Sequence, residues 1–130
     1  MKEQKLSTPA GGKPGYTGFK RIFKATGYSM QGLKAALTYE SAVRQEFMLL
    51  VVFTPIALLL DITNADKVML VASLVLVVIV ELLNSAIETT VDRIGPEFHE
   101  LSGRAKDIAS SAVFISLCLA GFTWLMIGVL

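Results

Sequence analysis

The sequence predicts an all-α membrane protein with three transmembrane helices preceded by an amphipathic surface helix. Three observations carry that prediction. Of 130 residues, 53% are hydrophobic and only 18% charged, against roughly 25% charged in soluble domains. The mean hydropathy is +0.59, and the apolar residues gather in a few long runs instead of alternating with polar ones. Lysine and arginine are unevenly divided between the segments outside those runs. A net charge of +1 provides no broad basic field for nucleic acid.

Residues 1–18 hold Ser7, Thr8, Pro9, Gly11, Gly12, Pro14, Gly15 and Gly18 and read as a flexible tail. Lys13 after Gly11-Gly12 does not make a phosphate loop: Pro14 stands where Ser or Thr is needed, and Ser7 where the first glycine should be. No apolar core follows Lys2 and Lys5, so no signal peptide is expected there. Over about 19–37, Phe19, Ile22, Phe23, Met30, Leu33 and Leu37 recur at helical steps. Lys20, Arg21, Lys24 and Lys34 fall largely on other faces. That is a helix suited to lying on a lipid surface, weakened by Gly27 and Gly32.

The first apolar run, Phe47–Leu60, covers about 21 Å as a helix. A hydrocarbon core is about 30 Å thick, so this helix must extend, with Tyr39–Glu46 the expected extension. Pro55 lies inside it. Asp61–Lys67 is a short polar turn. Val68–Ile87 supplies a second span interrupted by Glu81 and Asn84. Glu88–Asp107 is polar, and Ile108–Leu130 is a third, uncharged span of twenty-three residues. The expected spans are about 41–61, 67–88 and 107–129, within one membrane-embedded domain over 19–130. Cys118, the single cysteine, reads as a small apolar residue in lipid or in helix packing. Residues 1–46 carry eight lysines and arginines, 88–107 three, and 61–67 one. The two richer segments are expected on the cytoplasmic side, with the N-terminus inside and the C-terminus outside.

Chemistry concentrates in Glu81-Leu82-Leu83-Asn84-Ser85-Ala86-Ile87-Glu88. Glu81, Asn84 and Glu88 stand at i, i+3 and i+7 and share one helix face, which Asp92 continues. A carboxylate inside a span costs a few kcal/mol even on lenient scales and marks a functional cavity; a neutral, hydrogen-bonded helix contact is the plainer alternative. Repulsion along this face calls for a cation. Magnesium needs only one or two carboxylates beside substrate phosphates, which suits Glu88 near the interface. Glu81, deeper, is placed to take a proton from a lipid alcohol. Two further clusters are Glu40, Arg44, Gln45 and Glu46, and Glu97, His99, Glu100, Arg104, Lys106 and Asp107. Lys106 can meet phosphate oxygens as a point charge, while Arg104 and Lys106 also read as topology anchors.

These residues resemble the small prokaryotic diacylglycerol kinases. The resemblance rests on Arg44-Gln45-Glu46, on the Glu81–Glu88 stretch, on Asp92-Arg93-Ile94-Gly95 and on the run Glu97–Asp107 with its Gly103-Arg104-Ala105-Lys106-Asp107 end. Ala25-Thr26-Gly27-Tyr28-Ser29 in the first helix also matches, and the likeness covers roughly residues 18–125. It implies a homotrimer with active sites shared between subunits at the cytoplasmic face of a bacterial inner membrane. It implies Glu81 as general base, supported by Asn84, and magnesium held by Glu40 and Glu88. Glu97, His99, Lys106 and Asp107 match ATP contacts, with Arg21 and Tyr28 lining the same region. The substrate implied is diacylglycerol, and undecaprenol, the substrate of related kinases, is the alternative. Met30 where a tryptophan is expected, Thr26 in place of a small apolar residue, and Pro55 depart from the pattern. Without the resemblance, the residues also allow a proton-coupled transporter or channel subunit, with Glu81 as proton carrier, or a structural assembly subunit.

Overall fold

The computed structural model describes residues 17–129. The tail expected over 1–18 lies outside the described residues except for its last two. The described residues contain four α-helices and no strand, in two compact units divided after Tyr39.

The first unit contributes α1, Phe19–Tyr39. Gly18 precedes it with φ +63°, a left-handed conformation that costs glycine little. The Thr26, Ser29 and Thr38 hydroxyls each donate to the carbonyl one turn back, at 2.8, 2.9 and 2.7 Å, so they place no unmet donor on an apolar surface. None of the residues of α1 is buried.

The second unit holds α2 (Ser41–Leu59), α3 (Asn64–Ile94) and α4 (Glu100–Ile127). All three are long and apolar enough to cross a membrane. Their connections, 60–63 and 95–99, are too short for anything but antiparallel neighbours. Helix α2 begins six residues before the apolar run and so reaches about 28 Å. It continues through Pro55, whose missing N–H deprives the Val51 carbonyl of its usual helical donor. Helix α3, at 31 residues, is about 46 Å long and exceeds a hydrocarbon core by several turns. The polar segment after Glu88 therefore begins as a continuation of α3, and only Gly95–His99 leaves the helical path.

Caps define the ends. Thr63 Oγ1 accepts the Asp66 N–H at 3.1 Å at the start of α3, and Asp66 puts a carboxylate in its first turn. His99 Nδ1 accepts the Leu101 N–H at 3.1 Å at the start of α4. At the far end of α4, Gly128 adopts φ +86° and its N–H meets the Leu125 carbonyl at 3.0 Å; the Val129 N–H meets the Trp124 carbonyl at 3.1 Å. That is a glycine-closed helix end.

Helix α3 is central, packing on both α2 and α4. The bundle is polarised along its length. Where the 60–63 turn and the end of α4 come together, Ala57, Leu70 and Trp124 form an apolar core. Phe53 meets Trp124 edge-to-face there, centroids 5.4 Å apart at 84°. Toward the opposite end, the inward face of α3 turns polar: Ser73, Val77, Glu81 and Asn84 are buried at steps of three and four, with Ser85 buried beside Asn84. Ile79, Leu83 and Ile87 face outward. Apolar outside and polar inside is the arrangement lipid favours, because only the interior can satisfy polar groups.

Candidate active site

The inward face of α3 and the first turns of α2 build the site. Glu81 is 5% exposed and Asn84 8%, so neither points into acyl chains. The i, i+3, i+7 spacing brings Glu81, Asn84 and Glu88 onto one strip. Asn84 Nδ2 donates to Glu81 Oε1 and to Glu88 Oε1, each at 3.4 Å. These are long bonds, shared by one amide between two carboxylates. Asn84 Oδ1 is buried without a partner, and so is Ser85 Oγ.

Opposite stands α2. Glu40 is its N-cap residue but makes no side-chain capping bond, which leaves its half-buried carboxylate for other work. Glu40 and Glu88 both act electrostatically on Glu81. So does Glu46, whose Oε2 is buried with no partner. Carboxylates of two helices therefore act on one another, with one amide between Glu81 and Glu88, and like charges so coupled favour a proton or a cation among them. Glu46 is also the one charged residue lining a cavity of about 190 Å³ walled by Leu49, Phe53, Leu74, Val77 and Trp124 among others.

Reasoning from the sequence assigns Glu46 no role, because Arg44, Gln45 and Glu46 look alike locally. A signal is present all the same: Val43, Glu46, Leu50, Phe53 and Ala57 stand at helical steps, with Val43 and Ala57 fully buried. Glu46 lies on that stripe, whereas Arg44 and Gln45 fall outside it and are exposed.

The remaining candidates are distributed by element. Lys106 Nζ donates to Asp92 Oδ1 at 2.8 Å, bridging α4 and α3. A cavity of about 280 Å³ formed by the 95–99 connection is lined by Asp92, Glu97, His99 and Lys106 together. His99 spends Nδ1 on the helix cap, so a neutral ring carries its proton on Nε2. Asp107 is exposed and lines a separate hollow with Arg104 and Ser111. Arg21 is exposed and Tyr28 half-buried on α1, in the other unit.

Among the described residues, no group of three or more His, Cys, Asp or Glu is arranged to hold a metal ion. Magnesium does not require one. A pair of carboxylates plus nucleotide phosphates is its usual complement, and Glu40 and Glu88, which both act electrostatically on Glu81, are of the donor type that complement needs.

Fold and site together define a multi-span helical membrane protein with an acidic, amide-bridged strip on the inward face of α3. Comparison with known proteins supplies the family. The family model for prokaryotic diacylglycerol kinase matches residues 27–128. A diacylglycerol kinase of Escherichia coli (strain K12) is 55% identical over 108 residues, 83% of this chain and 88% of the relative. One of Pseudomonas aeruginosa is 50% identical over 110 residues, covering 85% and 89%. One of Haemophilus influenzae is 48% identical over 108 residues, covering 83% and 92%. The chain belongs to the prokaryotic diacylglycerol kinase family and is a kinase, which removes the transporter and structural-subunit alternatives.

Proposed function

We propose that the protein transfers the γ-phosphate of ATP to the free hydroxyl of diacylglycerol, forming phosphatidic acid at the cytoplasmic face of a bacterial inner membrane. The observation that carries this reading is the strip Glu81–Asn84–Glu88 on α3, buried at Glu81 and Asn84, half-buried at Glu88 and bridged by one amide. Phosphoryl transfer asks little covalent help of a protein; it needs in-line positioning and neutralised charge. Glu81 accepts the hydroxyl proton as the lipid oxygen attacks the γ-phosphorus and ADP departs. Asn84 holds the Glu81 carboxylate in place through its amide. Glu40 and Glu88 would hold magnesium, which would supply neutralisation of the phosphate charge. Lys106 adds a point charge to the phosphates; Glu97, His99 and Asp107 contact the nucleotide, and the family resemblance adds Arg21 and Tyr28 as nucleotide-binding residues.

Lipid as phosphate acceptor is supported by the apolar cavity beside Glu46, which has the chemistry an acyl chain needs. Charge supports the orientation: residues 1–46 and 88–107 carry eleven of the twelve lysines and arginines. In this reading α1 lies on the membrane surface, since its apolar residues Phe19, Ile22 and Phe23 are exposed. Three copies assemble with shared active sites.

The test is product identification. Purified protein in mixed micelles is given labelled ATP, magnesium and either diacylglycerol or undecaprenol. Label in phosphatidic acid is expected. Label only in undecaprenyl phosphate, or in no lipid, overturns the assignment.

A further inference from the structure

Asp92 has no task in the phosphoryl transfer itself, yet it makes a short ion pair between two helices. It stands one turn beyond Glu88 on α3, and its Oδ1 accepts Lys106 Nζ of α4 at 2.8 Å across fourteen residues of chain. The pair of Arg104 with Glu100, by contrast, is a 3.4 Å contact between successive turns of one helix. Lys106 and Asp92 keep 42% and 68% of their side-chain surface accessible. Pairs so exposed contribute little to folding, and α3 and α4 already pack along their lengths. The consequence of the pair lies elsewhere, in where it puts the ammonium.

A lysine ammonium is a compact charge on a flexible four-carbon stem. Unheld, it samples a wide volume. Here Asp92 ties it beside the 95–99 connection, in the cavity that Glu97 and His99 also line, while Glu88 acts on it electrostatically from one turn away. An ammonium has three donors and Asp92 takes one, which leaves two for other acceptors.

We infer that Asp92 is a positioning residue: its carboxylate holds Lys106 Nζ between the metal-binding end of α3 and the 95–99 connection, oriented for nucleotide phosphates. This rests on the reading of Lys106 as a phosphate ligand. The ordering of the lysine side chain is then met on folding instead of on nucleotide binding. Asp92 acts only through Lys106, so its effect is confined to the nucleotide.

The full-length protein in diacylglycerol-containing micelles provides the test. Asp92→Ala, the isosteric Asp92→Asn, the conservative Asp92→Glu, Lys106→Met and the Asp92→Ala/Lys106→Met double variant are compared. The readouts are the KM values for Mg·ATP and for diacylglycerol, and equilibrium binding of a non-hydrolysable ATP analogue with magnesium. Asp92→Ala is expected to weaken nucleotide binding by about three- to tenfold, the scale of one flexible side chain left to be ordered on binding. The KM for diacylglycerol is expected to stay at the parent value. Asp92→Asn should weaken nucleotide binding less, Asp92→Glu should restore part of the loss, and Asp92→Ala should add nothing once Lys106 is methionine. If Lys106→Met weakens nucleotide binding while the Asp92 variants do not, the positioning role alone is overturned. An undiminished Asp92→Ala effect in the Lys106→Met background has the same consequence. If Lys106→Met leaves nucleotide affinity intact, both the phosphate role of Lys106 and this inference fail.

Discussion

Replacing Glu81 by glutamine isolates the proton-accepting step from everything else the side chain does. Glu81 is almost wholly enclosed, and glutamine has its shape. The amide oxygen can still accept from Asn84 Nδ2, as Glu81 Oε1 does at 3.4 Å. The new NH₂ enters a neighbourhood of acceptors, since Glu46 and Glu88 both act on this position. Local architecture and nucleotide affinity should therefore survive, and one carboxylate fewer relieves repulsion in the cluster. What glutamine cannot do is take the hydroxyl proton. A positioned general base contributes about 10²- to 10⁴-fold, equivalent to roughly 2.7–5.4 kcal/mol of barrier at about 1.36 kcal/mol per decade. The assay is the kcat for labelled phosphatidic acid in mixed micelles, with KM for Mg·ATP measured alongside. A fall of at least about 100-fold in kcat with KM within about threefold is expected. A glutamine variant that turns over at near the parent rate refutes the proton-acceptor role. So does a loss traced wholly to weaker nucleotide binding.

The same geometry sets other expectations. Glu40→Gln and Glu88→Gln should each raise the magnesium concentration needed for half-maximal activity by about tenfold or more, because on the proposed reading each removes half of a two-carboxylate site; an unchanged magnesium titration places the ion elsewhere. His99→Asn keeps a side-chain acceptor for the Leu101 N–H but removes the imidazole, so a raised KM for Mg·ATP without lowered thermal stability separates nucleotide contact from helix capping. Trp124→Ala deletes the ring that packs on Phe53 and should cost about 3–5 kcal/mol. Trp124→Phe keeps an aromatic ring and loses an indole N–H that has no partner, and so should cost far less. Reversible unfolding in detergent distinguishes the two. Thr63→Ala should cost about 1 kcal/mol by removing the cap of α3 at the end remote from the site, with turnover unchanged; lost turnover would mean that the two ends of the bundle are linked.

Periodicity within one helix is a local property, so its consequences are legible in the residues alone. The apolar runs announce three membrane-length helices. The i, i+3, i+7 spacing puts Glu81, Asn84 and Glu88 on one strip whatever their neighbours. The thickness of a hydrocarbon core requires α2 to begin ahead of its apolar run, and it does so at Ser41. The polar segment after Glu88 is less legible. Its charges resemble a loop, but Glu88–Ile94 keeps helical hydrogen bonding, and only the stretch from Gly95 to His99 breaks it.

The tertiary structure decided which faces meet. Nothing local distinguishes a strip turned inward from one turned toward a second chain, because helix rotation is set by the packing of neighbours. Burial of Glu81, Asn84 and Ser85, the approach of Glu46 from α2 and the reach of Lys106 to Asp92 across fourteen residues are relations between helices. Backbone hydrogen bonding fixes each helix by itself, in lipid as in water. The registry between helices comes only from side chains fitting together, and the enclosure of Glu81 and Asn84 is a product of that fit.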